Sequence, residues 1–172
     1  MEMIQEAMHV AKAEEGRVGS IRALRGEYLT FRLGAEEYGI DILKVQEIRS
    51  YEAPTRIANA PDFVKGVVNL RGVIVPVIDL RLSLGCERAD YDASTVVIVL
   101  SVRNKIVGVV VDAVSEVVIL DDEAIRPAPE MPTSFERDVI IGIGSVQERM
   151  IVLMDIVALL SSEQMGIVAA AS

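Results

Sequence analysis

The chain is poor in the residues that most catalytic sites use. Its 172 residues contain no tryptophan, one cysteine and one histidine. His9 is the only histidine, and it lies near the start of the chain, ahead of the predicted domain. A serine or cysteine nucleophile elsewhere therefore has no plausible histidine base. Cys86 stands alone, which excludes an intramolecular disulfide, fits a reducing compartment and is typical of an inert thiol. We therefore expect a protein that is not an enzyme.

Patterns for metal or phosphate binding are also missing. No spacing of cysteine and histidine suits zinc. The acidic run at 121–123 lacks the alternating ligands and tight glycine turn of a calcium loop, and a solvated turn explains it better. Gly142 and Gly144 lack the third glycine of a phosphate-binding loop and lie among apolar residues. We expect no cofactor and no metal.

Positive charge is scarce. Lysine and arginine total 17 against 26 acidic residues, which gives a net charge of -9. This charge would repel a phosphate backbone, and three Phe and four Tyr offer little base stacking. A barrel that binds single-stranded nucleic acid is thus a disfavoured alternative, and we expect no nucleic-acid partner.

Long apolar runs are absent as well. Stretches such as 73–78 and 106–111 fall far short of the roughly 20 residues that cross a bilayer. The first residues include Glu2 and Glu6 and do not have the pattern of a secretion signal. We expect a cytoplasmic protein without direct membrane insertion.

What the sequence does contain is an internal repeat. Similar blocks recur 69 positions apart in the first part of each unit (108 minus 39) and 76 apart in the second part (155 minus 79). The matched blocks are 38–40 with 107–109, 45–48 with 114–117, 65–67 with 141–143, and 74–80 with 150–156. A slide in offset indicates a loop insertion, and a two-unit repeat predicts two similar modules packed together.

Apolar and polar residues alternate over short segments of both units, which predicts strands. The predicted strands are 28–33, 38–41, 45–51, 95–102, 106–112, 114–120, 139–146 and 149–154. The segment 67–79 is also rich in β-forming residues but is interrupted by Gly72 and Pro76. We expect Asp62 to cap a helical turn through Lys65, and Asp79 and Asp155 to cap helices at 80–84 and 156–161. Pro76 belongs at a sheet edge or bulge because proline cannot donate to a ladder.

These elements predict a mainly β fold of two small five-stranded antiparallel, SH3-like barrels. We expect a flexible leader at 1–26, a two-barrel domain at 27–161 and a tail at 162–172. The barrels would cover about 27–84 and 94–161, with possible exchange of strands between them. Each unit alone would be marginally stable, so the two should share an apolar interface.

The run VKGVVNLRGVIVPVIDLR at 64–81 resembles the CheW family of chemotaxis coupling proteins. Segments 37–49, 96–100, 108–112 and 125–129 carry the same resemblance, which covers about 26–161. It implies a non-catalytic adaptor that joins the cytoplasmic tips of methyl-accepting chemoreceptors to the regulatory domain of the histidine kinase CheA. That domain is implied to share the two-barrel plan.

The resemblance also implies residues that contact the receptor or support the contact surface. They are Val45, Glu47, Ile48, Gly66, Arg71, Gly108 and Val117. A receptor helical hairpin needs a groove with an apolar floor, and we expect the seam between the barrels to supply it. We further expect Glu47 and Arg71, on neighbouring strands, to form a charge-assisted bond.

Plainer explanations exist for each of these residues. The valines and Ile48 can be ordinary core residues, and the two glycines can merely allow a positive φ or a tight bend. Arg71, next to Gly72, can be a solvated turn residue. The resemblance favours a functional role for Glu47 and Arg71 and leaves the valines open.

Overall fold

The computed structural model describes residues 25–83, 91–127 and 139–161. The first unit contributes strands β1 (Arg25–Leu33), β2 (Glu36–Asp41), β3 (Val45–Ser50), β4 (Val64–Leu70) and β5 (Val73–Asp79). The second contributes β6 (Val96–Val102), β7 (Lys105–Val111), β8 (Ala113–Asp121), β9 (Ile125–Arg126), β10 (Ile140–Val146) and β11 (Arg149–Met154). Helices α1 (Leu80–Ser83) and α2 (Ile156–Ser161) follow β5 and β11. Short 3-10 turns lie at Ile42–Lys44 and Asp122–Ala124.

The strands form two sheets of similar design. The first has the order β8-β1-β2-β11-β10-β9 and the second the order β3-β6-β7-β5-β4. Neighbours run antiparallel except β2 with β11 and β5 with β7, where strands of different units meet in parallel. The expected mainly β fold of two small barrels is confirmed, and the antiparallel expectation holds except at these two pairs.

Each sheet takes strands from both repeat units. Strands β1 and β2 of the first unit join β8 to β11 of the second, and β6 and β7 of the second unit join β3 to β5 of the first. The pairing itself repeats: Thr30 faces Glu116, and 69 positions away from each, Val99 faces Glu47. The contiguous segments 27–84 and 94–161 thus each supply strands to both sheets. The division into leader, domain and tail stays a prediction.

Three apolar clusters of described residues hold this arrangement. The large central cluster joins the two sheets and includes fully buried Leu29, Phe31, Ile40, Ile98 and Leu100. Each sheet also has a small cluster of its own on the opposite face. That of the second sheet is Val77, Val97, Val99 and Val110, and that of the first sheet is Val118, Leu120, Ile151 and Leu153. The shared interface follows from the poor surface-to-volume ratio of so small a module.

Local expectations can be compared with this fold. The predicted caps are confirmed: Asp79 Oδ1 accepts from the Arg81 backbone N at 2.9 Å, and Asp155 Oδ1 from the Ala158 N at 3.1 Å. The helical turn expected at 62–65 is wrong, because β4 already begins at Val64 and pairs there with β5. Sheet pairing outweighs the local capping signal of Asp62.

The expectation that Pro76 lies at a sheet edge or bulge is wrong, because β5 lies between β4 and β7 and the register shift is at Val64/Gly66. Pro76 is tolerated because it stands just before the parallel ladder between β5 and β7 begins at Val77. No helix among the described residues is long and apolar enough to span a bilayer. His9, Cys86, residues 1–24 of the expected leader and the tail lie outside the described residues, and residues 25 and 26 of that leader already belong to β1.

Candidate functional site

Glu47 and Arg71 meet across the open side of the second sheet. Glu47 lies on β3, and Arg71 occupies the tight turn between β4 and β5 with a φ of 53°. Arg71 Nη2 donates to Glu47 Oε2 at 2.9 Å, so the expected contact is present. The expectation that their strands are neighbours is wrong, because β3 and β4 are the two edges of this sheet. The pair therefore bridges two edges instead of reinforcing one ladder.

This pair positions a charge more than it stabilises the fold. The Arg71 side chain is 71% exposed and that of Glu47 19%. Exposed ion pairs contribute about 0–1 kcal/mol because water screens them and ordering two side chains costs entropy. Arg49, on the same face of β3, approaches Glu47 Oε1 at 3.7 Å. The result is a guanidinium that is oriented by a carboxylate and still faces solvent.

A shallow groove lies beside this pair, with a cavity of about 70 Å³. It is lined by Arg49, Ser50, Glu52, Val68, Asn69, Leu70, Val75, Val77, Val97, Val99 and Gly108. Valine side chains form its floor, and charged or polar side chains lie at its rim. An apolar floor with a few polar groups at the rim is the arrangement that receives an amphipathic helix.

Gly108 keeps the floor of the groove low. It lies on β7, with β6 on one side and β5 on the other. A Cβ at this position would lie 2.8 Å from Val97 Cγ1, which is closer than real contacts allow. The glycine is thus required by a close approach of side chains, and its φ is not in the left-handed region.

Gly66 serves a different backbone need. Its φ is 144°, and an added Cβ would lie 2.0 Å from the carbonyl O of Thr55. Thr55 and Val67 exchange two backbone hydrogen bonds of 2.9 Å, which bind the 51–63 connection to β4. Gly66 therefore lets this connection pass directly over the strand.

Of the remaining predicted site residues, two are buried and Val117 is half-buried. Val45 and Ile48 are 0% and 3% exposed and belong to the central cluster, against which Val117 also packs. The interior of the seam between the sheets is filled by this cluster. The expectation of a groove within the seam is therefore wrong for its interior, and the cavity beside Arg71 opens on the second sheet. A binding role for the seven residues stays a prediction.

Sequence reasoning missed a buried ionic network at the end of β5. Arg81 is 3% exposed and donates to Asp79, which is fully buried, and through Nη1 to Asp112 Oδ1 at 2.7 Å. Asp112 Oδ2 in turn accepts from the Gly34 N in the β1–β2 turn at 2.6 Å. The network thus ties the second sheet to a hairpin of the first. One signal was available: the repeat places Val157 where the first unit has Arg81.

The electrostatics of the network follow from burial. Desolvation lowers the pKa of Arg81, but its hydrogen bonds to Asp79 and Asp112 outweigh this, and the net shift is upward. Burial raises the pKa of Tyr91, whose hydroxyl donates to Asp79 Oδ2 at 2.7 Å. Arg81 stays charged and Tyr91 stays neutral at physiological pH. The network is therefore a fixed structural link.

Within the described ranges, no group of three or more His, Cys, Asp or Glu could hold a metal ion. What the described residues do offer is a groove with an apolar floor and, next to the lining residue Leu70, the oriented guanidinium of Arg71. Fold and groove together define a class of protein: paired small β-barrels that present a recognition surface.

The comparisons narrow this class to a family. The family model of the CheW-like domain matches residues 27–164. The chain is 58% identical over 142 residues to the chemotaxis protein CheW of Klebsiella aerogenes, covering 83% of this chain and 86% of that one. It is 30% identical over 138 residues to the chemotaxis protein CheW of Bacillus subtilis, with 78% and 86% coverage. The chain belongs to the CheW-like family.

A solved structure supports the same family. The fold is similar to the crystal structure of the scaffolding protein TtCheW from Thermoanaerobacter tengcongensis, with a TM-score of 0.73 and 31% identity. The match covers 81% of this chain and 94% of that chain. The resemblance inferred from the sequence is therefore confirmed.

Proposed function

We propose that this protein is a non-catalytic, cytoplasmic adaptor that couples the tips of chemoreceptors to the histidine kinase CheA. The groove beside Arg71 is the observation that carries the proposal. Its valine floor suits the apolar stripe of a helical hairpin, and the exposed Arg71 suits a carboxylate next to that stripe. Membership in the CheW-like family supports this role.

The residues of the site divide by task in this proposal. Arg71 contacts the receptor, and Glu47 orients Arg71. Gly108 keeps the floor accessible, and Gly66 holds the neighbouring connection in place. Val45 and Ile48 support the second sheet from its central face, and Val117, on β8 of the first sheet, packs against the same central cluster.

The kinase contact in this proposal uses the ends of the barrels. Ile74 and Met150 occupy equivalent repeat positions, 76 apart, and each lies close to a hairpin turn. They are 61% and 70% exposed, the two highest values among the large apolar side chains of the described residues. A regulatory domain with the same two-barrel plan can meet such strand ends in a pseudo-symmetric contact.

The receptor arm is tested by charge reversal at Arg71. We expect Arg71→Glu to abolish binding to a purified receptor cytoplasmic fragment and to leave binding to the kinase regulatory domain intact. Since Arg71 is largely exposed, the free energy of unfolding should change by less than about 1 kcal/mol. Binding to each partner is measured by titration, and stability by urea unfolding.

Arg103→Glu is a matched control. Arg103 also stands in a tight hairpin turn with positive φ, at 49°, and lies outside the groove. It should retain receptor binding. Equal loss in both variants would point to net charge instead of the groove, and a wild-type protein that binds neither partner would refute the coupling function itself.

A further inference from the structure

A second cavity lies apart from the groove, beside α1 and the 51–63 connection. Its volume is about 520 Å³, within the range of about 300–1,000 Å³ that is usual for ligand sites. It is lined by Tyr51, Ala53, Pro54, Arg56, Ile57, Ala60, Pro61, Asp62, Val64, Lys65 and Leu82. The groove shares none of these residues. The coupling groove does not account for this cavity.

One wall of the cavity is rigid. Tyr51 stacks on Tyr91 with ring centroids 4.3 Å apart. Tyr91 is fixed in turn by its hydrogen bond to the fully buried Asp79 and by the Arg81 guanidinium, 4.9 Å from its ring centroid. A wall held by a buried ionic network loses little conformational entropy when a ligand binds.

The opposite side is preorganised through the backbone. Thr55 is hydrogen-bonded to Val67, and the Val64 N donates to the Pro61 O at 3.0 Å. Asn59 adopts a φ of 63°, which shapes the bend between the two prolines at 54 and 61. The connection is thus a fixed loop whose side chains face the cavity from set positions.

The charged residues that line the cavity are mostly positive, although the chain as a whole is negative. Arg56 and Lys65 line it together with one acidic residue, Asp62, in a protein of net charge -9. Neither cation forms an ion pair with another described residue. Lys65 Nζ lies 5.9 Å from the Tyr91 ring centroid, so the aromatic wall holds it near the cavity. The cavity therefore has a local excess of positive charge.

The repeat provides an internal comparison. The second unit builds an equivalent hairpin with Ile141 in place of Lys65 and Val157 in place of Arg81. A barrel of this kind therefore folds without the lysine and without the buried arginine. Because the fold does not require them, the charged and aromatic residues of the first unit point to binding.

We infer that this cavity binds an acidic segment of a protein partner. An aspartate or glutamate of that segment is neutralised by Arg56 and Lys65, and an adjacent aliphatic side chain packs on Pro54, Ile57 and Leu82. Asp62 restricts the site to a segment whose other side is uncharged. This contact is additional to the coupling groove and does not depend on it.

The test uses a peptide and the full-length protein. The probe is a fluorescein-labelled peptide Glu-Glu-Leu-Ala-Ala, which is acidic on one side of the leucine only, with Lys-Lys-Leu-Ala-Ala as its counterpart. We expect the acidic peptide alone to bind by fluorescence anisotropy and to shift the backbone amide NMR signals of Thr55, Lys65 and Tyr91. The double variant Arg56→Glu, Lys65→Glu should weaken binding about tenfold or more.

Arg126→Glu is the matched control. Arg126 is an exposed cation on β9, and β9 pairs with β10 in the second unit as the segment at Thr55 pairs with β4 in the first. It should keep the wild-type affinity. If the double reversal does not fold, Arg56→Gln, Lys65→Gln replaces it. The inference is overturned if the acidic peptide shifts none of the three signals, if Arg126→Glu loses as much affinity, or if inorganic phosphate at equal ionic strength displaces the peptide fully, which would indicate a bare anion site.

Discussion

The two sheets carry similar glutamate–arginine ion pairs in two different settings. Glu47 and Glu116 are equivalent in the repeat, and each bonds an arginine from the facing hairpin. Arg71 lies in the turn between β4 and β5, forms its ion pair with Glu47 and is 71% exposed. Arg149, at the start of β11, also contacts Glu37 at 3.3 Å and is 39% exposed. One arginine is committed to its own barrel, and the other remains available.

The two barrels also differ in the size of the side chains that fill them. The second sheet has Val75, Val77 and Val97 where the first has the larger Ile151, Leu153 and Tyr28. A Cβ on Gly39, the counterpart of Gly108, would meet Leu153 Cδ2 at 3.0 Å and Ile151 Cγ2 at 3.2 Å. Larger side chains fill one barrel, and smaller ones leave a groove in the other. Duplication has thus kept the scaffold and separated a packed barrel from an open one.

The largest expected difference between the units concerns the two capping aspartates. Asp79→Ala removes both a cap and a partner of buried Arg81, which should destabilise the protein by about 3–5 kcal/mol. Asp155→Ala removes only a cap and should cost about 1 kcal/mol. Urea unfolding of both variants measures the difference.

The double variant Asp79→Ala, Arg81→Leu serves as the control. Because it removes the uncompensated charge together with its partner, it should recover part of the stability lost by Asp79→Ala alone. Equal losses at Asp79 and Asp155 would mean that the buried network adds nothing beyond capping.

A smaller contrast is expected at Gly66 and Gly142, which are 76 positions apart and both follow a register shift. Gly66→Ala forces a Cβ against the Thr55 carbonyl at an unfavourable φ and should cost about 3 kcal/mol. In Gly142→Ala the new Cβ would lie 2.6 Å from the Arg126 carbonyl O, but the φ of this residue is not in the left-handed region. The variant should cost about 1–2 kcal/mol, since only the two residues of β9 need to move.

Thermal or urea unfolding compares the two glycine variants directly. The amide NMR signals of the 51–63 connection should also shift in Gly66→Ala and stay in place in Gly142→Ala. A larger loss at Gly142 would show that the close approach at Gly66 is relieved by movement of the loop.

The sequence predicted those features that local pattern and the repeat determine. Strand positions follow from alternation, and the roles of Asp79 and Asp155 follow from their place before a short apolar helix. The wrong helical turn at 62–65 arose because a capping signal is weaker than pairing between β4 and β5. Local signals are therefore reliable where no partner strand competes for the backbone.

Most features that depend on distant residues were out of reach, although the Glu47–Arg71 contact was expected. Exchange of strands was expected only as a possibility, and the pairing of β1 with β8 is one that alternation cannot specify. The bond between Arg81 and Asp112 joins residues 31 positions apart, and nothing in either local segment marks it. The groove exists because facing side chains such as Val77 are small, and this becomes visible only when the strand order is known.

The smallest expected effect is a pH dependence of the folding stability that arises in the first unit and not in the second. Burial raises the pKa of Tyr91 above the unfolded value of 10.0, so the folded protein keeps a proton that the unfolded chain releases. The stability that Tyr91 contributes is thus fully present below pH 10 and is lost as the pH rises toward the folded pKa. Tyr91→Phe should lose about 1 kcal/mol at pH 8, where its bond to Asp79 is missing, and decline less steeply above pH 10.

Urea unfolding at several values between pH 8 and pH 11 gives the two slopes. Tyr51, whose pKa is raised by burial and lowered by its hydrogen bond with Tyr91, is replaced by phenylalanine in both proteins, so that only Tyr91 distinguishes them. The second unit has no such tyrosine next to Asp155, so the difference in slope reports the first unit alone. Parallel curves would mean that Tyr91 releases its proton in the folded state as easily as in the unfolded one, and that the aromatic wall is open to solvent.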